Sequence, residues 1–332
     1  MDEVYAHVNS MHLPMFAITW LTFFLAAIVS FVVQVRLAGG GAGIVTFLRH
    51  CFPLEEWRGA SARTDVLMYI VSKFTKGLYA SFGTAVTVAL AFGLQELLRH
   101  SFPGHRPLSC TWPMIVIFSL LVFLVLDFSS FYAHLLQHKI PLLWEMHKVH
   151  HSATFLNPAT TERVHPFDYL FAFAFSALLV SIPIGIAGFL FDLSIPNSLI
   201  LLANANAIGT IIVLDALKHS QFPISFGRFD GYLLSPHMHQ LHHSASRRHW
   251  NKNFGNRLSV WDRVFGTAMI PRESEAFTYG TGDADEGRYN SLNGAFLFPI
   301  VKIRNMVLAG RGAHPPSPSI EHLSQGGTTP PD

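Results

Sequence analysis

Five stretches of the chain carry apolar residues in runs long enough to cross a bilayer as helices. The first runs without a charge from Pro14 to Val35. At 1.5 Å per residue it spans roughly 33 Å, the thickness of a hydrocarbon core. It has no basic leading segment and no clear small-residue cleavage site, so it is expected to be a retained span rather than a signal peptide. A second run extends from about Gly77 to Leu98, and a third from Trp112 to about Ala133 with one charge, Asp127. The fourth covers Phe167 to Phe191 and the fifth Ile195 to Leu217, with Asn204 and Asn206 inside it. Only Asp192, Leu193 and Ser194 separate the last two, which predicts a tight helical hairpin.

Basic residues in the short loops orient such a bundle. With the N-terminus outside, Arg36, Arg49, Arg58, Arg63, Lys139, Lys148 and Arg163 fall inside, against Arg99 and Arg106 outside. Lys73 and Lys76 also sit inside, at the start of the second run. This topology puts Cys51 inside and Cys110 outside, so the two cannot pair. From Gly310 onward the chain is rich in Pro, Gly and Ser, the composition of a disordered tail. Three regions follow: a membrane region of two helices over 1–111, a catalytic region over 112–270, and an extension with a tail over 271–332. The expected class is an all-α polytopic membrane protein with about five membrane helices and a cytosolic helical cap.

Composition agrees with the membrane reading, because only 13% of residues are charged against about 25% in soluble domains. A net charge of +2, with no basic run, argues against nucleic acid. Two cysteines allow neither a disulfide framework nor a cysteine zinc site. The chain holds 19 histidines, and their placement changes the picture more than their number. His134 and His138 lie four apart at the end of the third run. His147, His150 and His151 read H-x-x-H-H, and His239, His242 and His243 repeat that pattern about ninety residues later. Offsets of three and four place each set on one helix face. His219 follows the fifth run and His165 precedes the fourth, so all ten fall on the cytosolic side derived from charge alone. Neutral imidazole binds iron, zinc, copper and nickel, and one ion takes about four to six ligands. Nine or ten clustered imidazoles are too many for one ion and suit two.

The run from Asp127 through His134 and His138, then Leu143-Trp144-x2-His147-x2-His150-His151-Ser152, resembles the fatty acid hydroxylase/sterol desaturase superfamily. So do His239-x2-His242-His243-Ser244, Asn253-Phe-Gly255, and Trp261-Asp-Arg-Val-Phe-Gly-Thr267, with Arg163-x-His165-Pro166 and His219-Ser220 between them. The resemblance covers roughly residues 112–267. It implies a non-haem centre of two iron ions that uses O2 and two electrons to attack an unactivated C–H bond of a membrane lipid. It carries His134, His138, His147, His150, His151, His219, His239, His242 and His243 over as metal ligands, with His165 a matching histidine whose coordination it leaves open. His237, two before His239, is read as a neighbour. Members of the superfamily hydroxylate acyl chains, sphingoid bases, sterol methyl groups, alkylglycerols and ornithine lipids, and others desaturate sterols.

The acids are read separately. Asp127, seven before His134 on the same helix face, is expected to orient an imidazole by accepting its free N–H, with a helix-packing hydrogen bond as the alternative. Asp215, four before His219, could do the same, reach a metal, or face water at a helix end. Asp262 is expected to form a structural ion pair with an arginine. Asn204 and Asn206 are expected to make helix-to-helix hydrogen bonds rather than hold a lipid headgroup. A desaturase would begin with the same hydrogen abstraction and shares every motif. A zinc hydrolase is disfavoured, because Lys148-Val149 and Gln240-Leu241 leave no general base between the ligands. A metal transporter would put its ligands at mid-bilayer. No cysteine cluster or fused haem region supplies electrons, so a separate haem or iron–sulfur carrier with its reductase is expected. A bacterial inner membrane is the expected location rather than the endoplasmic reticulum.

Overall fold

The protein is described by a computed structural model over residues 21, 24, 25, 27–32, 43–212, 215–271 and 277–310, with the backbone path alone at 195, 196, 207, 209–212, 215 and 216. Most of the Pro14–Val35 run therefore lies outside the described residues, though 27–32 are helical. Among the described residues there are only helices and two isolated β-bridges, Leu233 with Leu258 and Ser244 with Tyr279. In chain order the helices are α1 (Ile44–Cys51), α2 (Leu54–Arg58), α3 (Ala60–Ser101), α4 (Trp112–Lys139), α5 (Pro141–His151), α6 (Pro166–Phe191), α7 (Ile195–Ile212), α8 (Asp215–Lys218), α9 (Pro236–His242), α10 (Val260–Val264) and α11 (Leu292–Leu308).

Three of these, α3, α4 and α6, are long and apolar enough to cross a membrane. Helix α3 begins well before the apolar run near Gly77 and extends over 42 residues, about 63 Å. Nothing between Ala60 and Gly77 is proline or glycine, so no breaker stops the helix where its apolar character ends. This length exceeds the hydrocarbon core of a bilayer, about 30 Å. In the fifth run α7 and α8 are helical, and residues 213 and 214 between them lie outside the described set.

Small residues set the spacing of the long helices. A Cβ on Gly185 would lie 2.8 Å from the Ala91 carbonyl oxygen, and one on Gly188 would lie 2.3 Å from Gln95 Oε1. Only glycine lets α6 approach α3 this closely. Val122, Phe123, Val180, Ile184, Ala187, Leu201 and Ala205 fill the space between α4, α6 and α7, and Asn204 Nδ2 donates to Ser119 Oγ at 3.1 Å, the helix-to-helix bond expected of it. Asn206 instead donates to Leu202 O of its own helix at 2.9 Å. At the far end Asp192, in the left-handed region at φ 53°, ends α6 and pairs with Arg99.

At the other end the short helices form a layer, with Arg163 at its centre. Its fully buried guanidinium donates to Asp65 Oδ1 on α3 at 2.9 Å, to Val149 O at 2.9 Å and Ser152 Oγ at 2.8 Å at the end of α5, and to Asn290 Oδ1 at 2.9 Å. One planar group with five donors joins α3, α5 and the C-terminal segment. Part of the 271–332 region is helical, with α11 covering Leu292–Leu308. Ser291 caps α11 by accepting from Gly294 N–H at 3.1 Å, and Ala295 and Phe296 pack against Met68 and Val149. Residues 311–332, the expected tail, lie outside the described set.

Candidate metal centre

Histidines from four parts of the layer converge into two groups. The first contains His134, His138, His147, His151 and His242, the second His150, His219, His239 and His243, and within each group the ligand atoms lie within 4.8 Å of one another. Among the described residues, neither group includes a carboxylate. The helical offsets sort the members. His147 and His151, four apart on α5, share the first group, while His239 and His243, four apart around α9, share the second. The middle histidine of each motif crosses over: His150 joins the second group and His242 the first. The expectation that each H-x-x-H-H motif presents one face is therefore corrected. Successive helical residues point about 100° apart, so adjacent histidines serve different groups, and each motif spans both.

The hydrogen bonds of the imidazoles turn their other nitrogens inward. His134 Nδ1 donates to Phe254 O at 2.9 Å, His147 Nδ1 to Asp168 Oδ2 at 2.9 Å, and His242 Nδ1 to Lys252 O at 2.7 Å. A proton held on Nδ1 leaves Nε2 with its lone pair. The Nε2 atoms of all five first-group histidines are buried without a hydrogen-bond partner. In the second group four Nε2 atoms face one another, His219 to His150 at 3.1 Å, to His239 at 2.9 Å and to His243 at 3.2 Å, with His243 to His239 at 3.2 Å. Thr161 Oγ1 lies 3.1 Å from His219 Nδ1. Converging lone pairs repel unless something positive lies between them. Metal–imidazole bonds of about 2.0–2.1 Å at right angles place ligand nitrogens about 3 Å apart, so the donor set fits a metal ion in each group.

Electrostatics favour the ligating form. Burial, then neighbouring imidazoles, holds His150, His151, His239 and His243 well below the ordinary histidine range. His242 is pushed down to about 3, chiefly by burial and against the opposing effect of the Lys252 carbonyl. All five are neutral at pH 7.

The remaining expectations divide. His165 stands outside both groups, with Nε2 donating to Phe296 O at 3.0 Å and Nδ1 accepting from Phe167 N–H at 3.2 Å, so neither nitrogen is left for a metal. The His237 ring lies against Phe277, also outside both groups. The side chain of Asp215 lies outside the described residues. Asp127 touches no histidine. It accepts from Trp261 Nε1 at 2.9 Å, Arg257 N at 3.1 Å and Leu258 N at 3.2 Å. Asp262 pairs with no arginine but accepts from Phe254 N at 2.7 Å, Gly255 N at 2.8 Å and Thr267 Oγ1 at 2.6 Å. Both acids thus fix the 254–261 turn, whose Phe254 carbonyl orients His134, because a buried carboxylate needs its donors and this turn supplies backbone N–H groups. Asp127→Asn is accordingly expected to destabilise the fold by about 1–3 kcal/mol, by leaving buried donors unsatisfied, while metal per folded molecule stays unchanged. Thermal melting with elemental analysis checks this; metal loss at unchanged stability would return Asp127 to the site.

Sequence reasoning passed over Asp168, which does what was expected of Asp127. It sits in the first turn of α6, accepts from His147, and also accepts from Gln137 Nε2. Its signal was an acid two residues after the helix-starting Pro166.

Residues 119–267 match the family model described as fatty acid hydroxylase. The chain is 29% identical over 252 residues to an ornithine lipid hydroxylase of Rhizobium tropici, covering 74% of this chain and 70% of that protein. It is 28% and 26% identical to the alkylglycerol monooxygenases of Danio rerio and Homo sapiens, in each case over 48% of this chain and 32% of the relative. No solved structure matches the chain. Motif order, histidine placement and these relatives agree: the chain is an oxidoreductase whose residues 119–267, less than half of its length, match the fatty acid hydroxylase family.

Proposed function

We propose that this chain is a multi-pass, membrane-bound di-iron oxygenase that hydroxylates a C–H bond of a lipid. The observation that carries the reading is the pair of histidine groups in a layer at one end of apolar helices: the five Nε2 atoms of the first are buried without a hydrogen-bond partner, and the four Nε2 atoms of the second converge on one another at 2.9–3.2 Å. Two iron ions bound there would supply the activation of O2 that breaking an unactivated C–H bond requires. His134, His138, His147, His151 and His242 would hold one ion, and His150, His219, His239 and His243 the other. Asp168 and the Phe254 and Lys252 carbonyls hold three of these imidazoles in the right tautomer. Electrons would come from a separate haem or iron–sulfur carrier with its reductase.

The charge bias puts the histidine layer in the cytosol and the Arg99–Asp192 end outside, consistent with a bacterial inner membrane. An acyl lipid with a polar head is the favoured substrate class, and ornithine lipid is the first to test, since the Rhizobium tropici relative matches over most of both chains. The test supplies isotopically labelled O2 to membranes containing the iron-loaded chain and an electron donor, then follows lipids by mass spectrometry. One labelled oxygen atom in a lipid product, absent with His150→Ala, is expected. Loss of two hydrogens without label would make the enzyme a desaturase, and cleavage of the lipid with gain of unlabelled oxygen from water would make it a hydrolase.

A further inference from the structure

Helix α11 lies outside the family match and exposes apolar residues on its outer side. Leu297, Ile300, Val301 and Leu308, with Arg304 among them, recur at helical spacings of three and four and form one stripe, flanked by Val307. Val307 is 64% and Leu308 76% exposed, while Ala295 and Pro299 on the opposite side are buried against the protein. A helix that is apolar on both its packed and its open side does not face water.

Position says what faces it. His165, immediately before the apolar helix α6, donates from Nε2 to Phe296 O at 3.0 Å, so α11 is fastened to the foot of a membrane-length helix. Farther along, Ile303 shares a cavity of about 350 Å³ with Leu142 and Met146 of α5 and with Phe171 and Ala174 of α6. Ala174 is eight residues past Pro166, about 12 Å into α6. The second half of α11 therefore runs beside residues that the membrane reading already places in the bilayer edge, and its stripe continues their lipid-facing surface. Arg304, exposed on that stripe, has the reach to leave the apolar layer and meet lipid phosphates.

We infer that α11 is an in-plane membrane helix. Its stripe lies in the acyl boundary of the cytosolic leaflet, and its inner side walls a cavity that admits a lipid acyl chain beside Asp168. This rests on the membrane reading above but not on the reaction. The test uses the full chain in nanodiscs of phosphatidylcholine and phosphatidylglycerol, with Cys110→Ser removing the exposed native thiol. A fluorophore is attached in turn at Leu297→Cys, Val307→Cys, Ile303→Cys and, as the aqueous reference, Ser246→Cys. Lipids carrying a nitroxide on the acyl chain should quench positions 297, 307 and 303 at least about threefold more than 246, and iodide should show the reverse order. Iodide access at 297 and 307 equal to that at 246 overturns the proposal. Protection of 297 and 307 from both quenchers also overturns it, since a second copy or another protein would then cover the stripe. Quenching at 297 and 307 but not at 303 would refute the acyl cavity. Each readout is independent of turnover, so failure here is distinguishable from failure of the hydroxylase reading.

Discussion

His150→Ala and His242→Ala are each expected to end turnover and to leave about one metal ion per folded chain instead of two. The two residues stand at equivalent places in α5 and its neighbour motif in α9, yet the helical offsets send them to opposite groups. His150→Ala takes one of four imidazoles from the second group, and His242→Ala one of five from the first. The four-membered group has one donor fewer among the described residues, so its loss should be the more complete. His237→Ala is the control. It lies on the same helix as His242, but its ring faces Phe277. It should keep both ions and most activity. Elemental analysis on chains shown to be folded by circular dichroism checks the ordering. Equal metal loss in the His237 and His242 variants would mean that the two groups do not hold the metals.

Asp168→Asn is expected to lower turnover or metal affinity about 10–100-fold, the usual cost of losing the partner of a metal-bound imidazole. Both carboxylate oxygens are used, Oδ2 by His147 Nδ1 and Oδ1 by Gln137. An amide can accept from one of these donors but presents its own N–H groups to the other. His147 then loses the acceptor that fixes its proton on Nδ1, and its Nε2 ceases to be a reliable ligand. The loss should appear in iron retention by the first group while KM for the lipid stays constant, and Asp168→Glu should recover part of it. Activity within about twofold of the parent in Asp168→Asn would remove this carboxylate from the account.

The histidines were legible because their spacing is a local property. Four-residue offsets survive folding, so His134 with His138 and both H-x-x-H-H motifs could be read directly. What spacing did not reveal is the crossover of His150 and His242, which depends on where α5 and α9 face each other. The apolar runs located α4 and α6 to within two turns. They missed the first 17 residues of α3, because a helix leaving the bilayer keeps its hydrogen bonds but loses its apolar signature. Partners of the imidazoles were the least legible part. Phe254 O and Lys252 O are backbone atoms carried by turns, and no side-chain pattern announces them. Asp127 was placed on the correct helix face but given the wrong partner: the Arg257–Trp261 segment, about 130 residues later in the chain, reaches it before any imidazole does. His165 shows the same limit, since the carbonyl that engages it belongs to α11, a helix the sequence did not single out.

The central claim is that two ions occupy two unequal all-histidine groups. Mössbauer spectroscopy of the chain loaded with isotopically enriched iron, with iron per chain measured on the same sample, tests it most directly. The account predicts two iron ions per chain and two distinct signals of about equal area, one from the five-histidine group and one from the four-histidine group. His150→Ala should remove one signal and His242→Ala the other. One iron per chain at full activity, or full activity with zinc as the only metal, would contradict it.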